Sequence, residues 1–335
     1  FENDFAKFCN VQYGVTVSSG TGAIHLALAS LSIGKGDEVL VSTLTNMATF
    51  FAVIYLGATP VPIDIDADTL NLDPELISQK ITPKTKAILV VHLFGHPVDM
   101  DPVNELAKKN GLFVIEDCAQ AHGATYKGKK VGSLGDIGCF SFYANKIITT
   151  GEGGMVTTNS KKLAERVRNL KGLAFGGENK FMHKEIGYNY RMTNIQAAVG
   201  YAQLQKIESI ISSKREISQY YIEHLEGMPF LKTPIEKDYA KSVFWMFHIV
   251  LTGLAKDMRS KIMSELLRSG IETREGFIPY NMQEIFIEKG MTKISECPVA
   301  NEVALRGFYI PSGPFLKKSD QDSVIECIKE VLSSL

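Results

Sequence analysis

No apolar run in this sequence approaches the roughly 20 residues that a helix needs to cross a bilayer, and no leader-like pattern opens it. Excess charge of one sign is also missing. The net charge is -1, so nothing in bulk draws the chain to nucleic acid or to an anionic membrane. Cysteines are few and odd in number: Cys9, Cys118, Cys139, Cys297 and Cys327. No pair has metal-ligand spacing, and the seven histidines form no H-x-x-H or H-E-x-x-H cluster, so no metal is expected. Free thiols in apolar surroundings fit a reducing cytoplasm. Neither G-x-G-x-x-G nor a Walker loop is present, which weakens the plain dinucleotide-dependent dehydrogenase reading. There is no internal repeat and no low-complexity tract. The opening Phe1-Glu2-Asn3-Asp4-Phe5 reads as mid-helix without an initiator methionine, so a native segment is expected before it.

What is present is globular. The 335 residues are 45% hydrophobic and 22% charged, enough apolar material for one large and one smaller domain. The stretch from Gly138 to Asn145 is an apolar, aromatic-rich strand that runs up to Lys146. A turn-prone segment, Gly151-Glu152-Gly153-Gly154, and a second short strand, Met155 to Thr158, follow. A lysine that ends a buried strand loses part of its solvation, which favours the neutral amine needed for a Schiff base. Taken alone it also reads as a surface lysine at a strand end.

Upstream, strands and helices alternate. Val15 to Val17 is a β-branched strand that runs into Ser18-Ser19-Gly20-Thr21-Gly22, and Ala23 to Leu31 has helical spacing. Such a turn aims free N–H groups and the positive end of a helix at an anion, with the Thr21 hydroxyl as a further donor. Strands at 38–41, 61–64, 86–91 and 112–117 alternate with helices at 46–56, 76–80 and 103–109. This order marks a mostly parallel sheet flanked by helices, whose ligands lie at the carboxyl ends of the strands. Gly20-Thr21, Asp117 and the Lys146 segment all fall at such ends. Asp117 reads either as a helix cap or as a carboxylate at a pocket mouth, able to hold a heteroaromatic ring nitrogen in its protonated form. Gln120 suits a phenolic oxygen, and His122 a supporting role.

The remaining chain changes character. Helix 161–170 leads to the glycine-containing loop 175–180, then to Gly187-Tyr188-Asn189-Tyr190-Arg191-Met192 and one long helix from Asn194 to about Glu226. The domain division expected is 1–205 for the large unit, 206–228 for the continuation of the bridging helix and 229–335 for a small α+β unit. In that unit strands are expected at 244–251 and from 270, with helices at 257–269, 299–305 and 320–335.

The ordered set Ser19-Gly20-Thr21, Glu116 to Ala121, Phe140-Ser141-Phe142 with Lys146, Gly151 to Gly154, and Gly187 to Thr193 resembles the DegT/StrS nucleotide-sugar aminotransferases. These are pyridoxal phosphate (PLP) enzymes of the aspartate-aminotransferase fold (PLP fold type I), and the likeness covers nearly the whole chain. The resemblance implies that Lys146 bonds to the cofactor and shuttles the proton. It implies that Asp117 pairs with the ring nitrogen, that Gln120 holds the ring hydroxyl, and that Gly20, Thr21 and Ser141 bind the phosphate. One residue of the Tyr188–Arg191 segment, Asn189 or alternatively Arg191, would reach the phosphate of a neighbouring subunit, which makes a homodimer with shared sites the expected assembly. Arg191 and Tyr280 are the expected substrate contacts. The implied reaction takes an amine from L-glutamate through pyridoxamine 5'-phosphate to the ketone of a nucleotide-linked 4-keto-6-deoxy sugar, in surface-polysaccharide biosynthesis.

Three positions depart from the family pattern. Asn46 stands where an aromatic residue usually stacks on the ring, with Phe50 and Phe51 nearby. Asn281 replaces a histidine, and Val243-Phe244-Trp245 differs before and at the tryptophan. A PLP-dependent sugar dehydratase of the same family carries histidine in place of the lysine, so Lys146 argues against it. A regulatory homologue that binds the cofactor without turnover is disfavoured by the intact Lys146, Asp117 and Gln120.

Overall fold

The computed structural model describes residues 1–175 and 179–334. Half of the expected loop at 175–180, namely 176–178, therefore lies outside the described residues.

The chain opens with α1 (Glu2–Phe8), β1 (Tyr13–Val17), α2 (Gly20–Ser30), β2 (Glu38–Ser42), α3 (Ala48–Tyr55), β3 (Thr59–Ile63), β4 (Thr85–Val91), α4 (Met100–Asn110) and β5 (Phe113–Asp117). A small hairpin, β6 (Thr125–Tyr126) and β7 (Lys129–Lys130), precedes β8 (Ile137–Ser141), β9 (Gly154–Thr158) and α5 (Lys161–Lys171). Seven of these strands form one sheet in the order β1-β9-β8-β5-β4-β2-β3. All its pairs are parallel except those made by β9, which runs against both β1 and β8.

Both faces of the sheet are covered, and strand alternation decides which side chain goes where. Val39, Val41, Leu89 and Ile115 enter the principal core with α1, α2 and α5. Leu40, Ile88, Val90 and Val114 point to the other face, against Val98, Met100, Val103 and Ala107 at α4. Central strands apolar on both faces are what a parallel sheet between helix layers requires. At the amino end Phe5 packs edge-on to Phe140 and Phe142, at 4.9 and 5.2 Å between ring centres. Each such buried ring contributes about 1.5–3 kcal/mol.

The second half holds α6 (Asn194–Leu204), α7 (Ile207–Leu225), β10 (Leu231–Lys232), β11 (Ala240–Lys241), β12 (Phe247–Leu251), α8 (Arg259–Arg268), β13 (Arg274–Glu275), α9 (Glu284–Glu288), α10 (Pro298–Arg306), β14 (Gly307–Ile310) and α11 (Lys318–Ser333). Four strands form a separate antiparallel sheet, β10-β12-β14-β13. Its residues Phe247, Ile249, Leu251, Phe308 and Ile310 pack with α7, α8 and α11.

Several expected elements are corrected. The single helix over 194–226 is two, α6 and α7, broken at Lys206 with φ -111° and ψ 2°. No glycine or proline marks the break. Gln203 instead accepts the Thr149 N–H at 2.9 Å, while Ile207 and Ile211 turn into the principal core. The helix at 76–80 is two 3-10 turns, Pro74–Leu76 and Ser78–Lys80. The strand expected from 244 begins at Phe247, because Phe244 adopts φ +45°. Residues after 229 are also not all in the small sheet's core. Val243, Trp245, Tyr280, Phe286 and Val303 pack into the principal core.

Glu116 carries more structure than its place in the motif suggests. It is fully buried, and its carboxylate accepts from the N–H groups of Gly132, Leu134 and Gly135 at 2.7–2.8 Å. His92 Nε2 lies 3.0 Å from the same group. Glu116→Ala would leave one buried and two part-buried N–H groups unpaired, and stability in urea should fall by about 3–5 kcal/mol.

Candidate active site

Because β5 and β8 run the same way, their carboxyl ends open at one edge, and the cavity lies there. It has a volume of about 280 Å3, and Gly20, Thr21, Asp117, Gln120, Ser141 and Lys146 all line it. Residues more than 120 positions apart in the chain thus share one wall.

Three features make it a fit for a phosphorylated, protonatable ring. The first is an anion cradle. Ser19 caps α2, its Oγ accepting the Gly22 N–H at 3.0 Å. The N–H groups of Gly20 and Thr21 belong to the first turn, where no intrahelical partner exists. A Cβ on Gly20 would lie 2.6 Å from the Ser141 Cβ, so only glycine permits this approach. Gly20→Ala should therefore widen the cradle and weaken cofactor retention about tenfold or more, read by equilibrium dialysis, for a cost above about 1.4 kcal/mol.

The second feature is Asp117. It is buried, and no helix follows it, which removes the helix-cap reading. Oδ1 accepts the Ala119 N–H at 3.0 Å, and Oδ2 accepts the Thr49 hydroxyl at 2.9 Å. Burial nevertheless raises its carboxyl above the ordinary range, against the lowering effect of those two bonds and of Lys146. A desolvated carboxylate held by two neutral donors is best completed by a cation, and a ring N–H+ supplies one. Gln120 is buried too. Its Oε1 is taken by the Phe94 N–H at 2.8 Å, so its amide NH2 is what it can offer an oxygen in the cavity.

The third is Lys146. Among the described residues its Nζ makes no hydrogen bond, and it lies 3.9 Å from the centre of the Trp245 ring. Desolvation lowers its pKa to about 8, with Asp117 pulling the other way. A substantial neutral fraction at mildly alkaline pH is what an amine needs to attack a carbonyl.

The remaining expected site residues are placed differently. Asn46 lines the cavity, but its Oδ1 accepts the Ala48 N–H at 2.9 Å, holding the side chain back on the start of α3. Asn189 and Arg191 are exposed and do not line this cavity; Arg191 Nη2 lies 3.5 Å from Asn189 Oδ1. Tyr280 does not reach the cavity either, which corrects its expected substrate contact. It is fully buried and stacks on Phe50, with ring centres 4.1 Å apart and planes 3° from parallel. Phe50 is thereby committed to the core, and neither it nor Phe51 lines the cavity. Asn281 is structural as well. Thr43 Oγ1 donates to its Oδ1 at 2.8 Å, and its Nδ2 donates to the Ile294 carbonyl and to Asn301. His122 is buried among Phe5, Phe140 and Phe142, and burial lowers its pKa to about 3, which makes it a neutral packing residue.

Sequence reasoning missed the aromatic walls. Phe94, Trp245, Phe277 and Tyr309 line the cavity, together with Thr49 and Glu152. The single tryptophan in the sequence was the one signal that could have pointed to them.

The chain belongs to the DegT/DnrJ/EryC1/StrS aminotransferase family, whose model matches residues 1–329. It is a PLP-dependent aminotransferase with a mainly parallel α/β sheet flanked by helices. Among individual relatives it is 46% identical to GDP-perosamine synthase of Escherichia coli O157:H7 over 99% of this chain and 89% of that protein. The Caulobacter vibrioides GDP-perosamine synthase is 41% identical over the same shares of the two chains. In three dimensions the chain superimposes on Streptomyces venezuelae DesV with a TM-score of 0.92 at 36% identity, covering 98% of this chain and 87% of that one. Streptococcus pneumoniae Spr1654 in its PMP form matches with a TM-score of 0.94 at 26% identity over 99% and 91%.

Proposed function

We propose that the chain transfers an amino group from L-glutamate to the keto carbon of a nucleotide-linked 4-keto-6-deoxy sugar, as a GDP-perosamine synthase does, for surface-polysaccharide biosynthesis. The observation that carries this reading is that Lys146, Asp117 and Gln120 line one cavity with the Gly20–Thr21–Ser141 cradle, in a chain 46% identical to such a synthase.

The bound cofactor supplies a protonated pyridine ring that accepts the electron pair left when the substrate's amino-bearing carbon loses its proton. The chain's residues do the rest. Gly20, Thr21 and Ser141 anchor the phosphate and so fix the ring's position. Asp117 keeps the ring nitrogen protonated, itself steadied by Thr49 and Ala119. Gln120 orients the ring oxygen through its amide. Lys146 would act as the base that takes the proton from the amino-bearing carbon and delivers it to the cofactor carbon across the nitrogen. The aromatic walls exclude water from that exchange.

The working unit in this proposal is a homodimer with shared sites. Asn189 would reach the partner's cofactor phosphate, with Arg191 beside it facing the substrate. The support is that both are exposed and away from their own cavity. Ile195 and Val199, one turn apart on α6, leave an apolar face open at 81% and 44% exposure. Hybrid dimers test this. Mixing Lys146→Ala with Asn189→Ala subunits should restore about one-quarter of wild-type activity, because half the dimers regain one intact site. No recovery on mixing would place Asn189 in its own subunit's site.

Substrate identity is tested with a panel of nucleotide 4-keto-6-deoxy sugars and glutamate, followed by mass spectrometry. One aminated sugar should form for each 2-oxoglutarate. Ammonia release without a stoichiometric keto acid would overturn the transfer reading in favour of a dehydratase.

A further inference from the structure

Trp245 is the one tryptophan in the chain, and it sits between two spaces. It lines the cavity described above and also a wider cleft of about 930 Å3 on the far side of Lys146, bounded by α7 and the loop after β14. Trp245 is held by one hydrogen bond from its indole and two at its main chain. Its Nε1–H donates to the carbonyl of Asn145, the residue before the reactive lysine, at 2.8 Å. Its backbone N–H donates to the Phe94 carbonyl at 2.8 Å, on the wall that also holds Gln120. Its carbonyl accepts from Lys214 Nζ at 2.9 Å, and the same ammonium donates to the Ser312 carbonyl. The ring face so held is the one over which Lys146 Nζ lies at 3.9 Å.

We propose that Trp245 is a positioning residue: it docks the Lys146 amine on its indole face whenever that amine is not bonded to the cofactor, and returns it to the same place between the two half-reactions. The clamp on Asn145 fixes the main chain at the base of the lysine. The ring face fixes the far end, where the negative π surface attracts an ammonium and still offers a neutral amine an apolar wall. A flexible four-carbon side chain freed in each turnover otherwise has many rotamers to search. The inference rests on the reading of Lys146 as the reactive amine, but it concerns the amine and the indole alone. It can therefore be read without cofactor.

Other ionisable groups face this pair. Asp117 approaches from β5 and His122 from the loop after it, while Tyr143 and Glu152 stand on the cavity rim. Lys206 and Lys214 approach from the start and first turns of α7, and Glu272, Arg274 and Tyr309 from the small sheet. Burial sets both Lys146 and Lys214 to about 8, so the two lysines must be separated by substitution.

An ammonium against an excited indole quenches its emission by proton donation, and a neutral amine does so less. Tryptophan fluorescence of the cofactor-free protein should therefore rise through a single transition near pH 8. The transition should vanish in Lys146→Met and persist in Lys214→Met. Its persistence in Lys146→Met, or its loss in Lys214→Met with the Lys146→Met profile unchanged, would overturn the proposal. A second measurement avoids the fluorophore: the pH dependence of PLP capture by the cofactor-free protein, followed by absorbance. Trp245→Phe keeps an aromatic face and should keep the midpoint. Trp245→Leu keeps burial without the face and should lower the midpoint by roughly one pH unit. Equal midpoints in the Phe and Leu variants would also overturn it. Failure of the underlying reading looks different: borohydride would then fix no PLP on Lys146 in the wild type.

Discussion

Replacing Lys146 with Met should abolish transamination, with a fall of about 10^4-fold or more in single-turnover rate, while raising the stability of the cofactor-free protein. The two effects share one cause. Desolvation holds the folded-state pKa of this amine near 8, below its ordinary 10.5, so the folded chain binds the proton less well than the unfolded chain. The penalty is fully present below pH 8 and disappears as pH rises towards 10.5. Its upper bound is about 3 kcal/mol, reduced by the solvent that still reaches the half-buried side chain. Thermal unfolding without cofactor should thus show Lys146→Met above wild type at pH 7, with the gap narrowing by pH 10. Borohydride should fix no cofactor to the variant. A variant equal to wild type in stability at pH 7 would show that the amine is better solvated than the structure places it. An active variant would remove the lysine from the chemistry.

Asp117→Asn should produce the second largest loss, about 10^2–10^4-fold in the half-reaction with glutamate. PLP capture on Lys146 should survive, because capture needs the amine and not the ring proton. The substitution is nearly isosteric. Ala119 N–H can still donate to the side-chain oxygen, and the Thr49 hydroxyl can turn to accept from the new amide. Burial raises the Asp117 carboxyl, so in the cofactor-free protein ionisation above its ordinary 3.8 costs stability. The asparagine variant should therefore be no less stable at neutral pH without cofactor. Stopped-flow absorbance with glutamate separates the outcomes. A slow half-reaction after normal capture supports the ring-nitrogen role, whereas lost capture would make Asp117 a binding residue instead.

Much of the large sheet could be read in advance from its runs of β-branched and aliphatic residues. Lys86 to Val91 and Phe113 to Asp117 each carry apolar residues on both faces, and such a run, alternating with helices, suits a strand between two helix layers. The cavity residues were legible for a related reason. Gly20 and Lys146 follow strands and Asp117 ends one, and parallel strands end at one edge. Misplaced elements were those whose local sequence gives no sign of its neighbours. The break at Lys206 has no glycine or proline, and depends on Thr149 holding Gln203. Tyr280 was an expected substrate contact, but its ring is stacked on Phe50 in the core.

From residues alone came most of the order of strands and helices, the glycine-containing turn, the acid at a strand end and the lysine after one, because local propensity and continuous apolar runs record those directly. Folding in three dimensions alone decided the setting of that lysine. The indole against it stands 99 positions later in the chain, bonded to the Asn145 carbonyl, and the Asp117 carboxylate in the same cavity is oriented by Thr49. Contacts between residues so far apart leave no periodicity in a sequence, and desolvation depends on what surrounds an amine on every side.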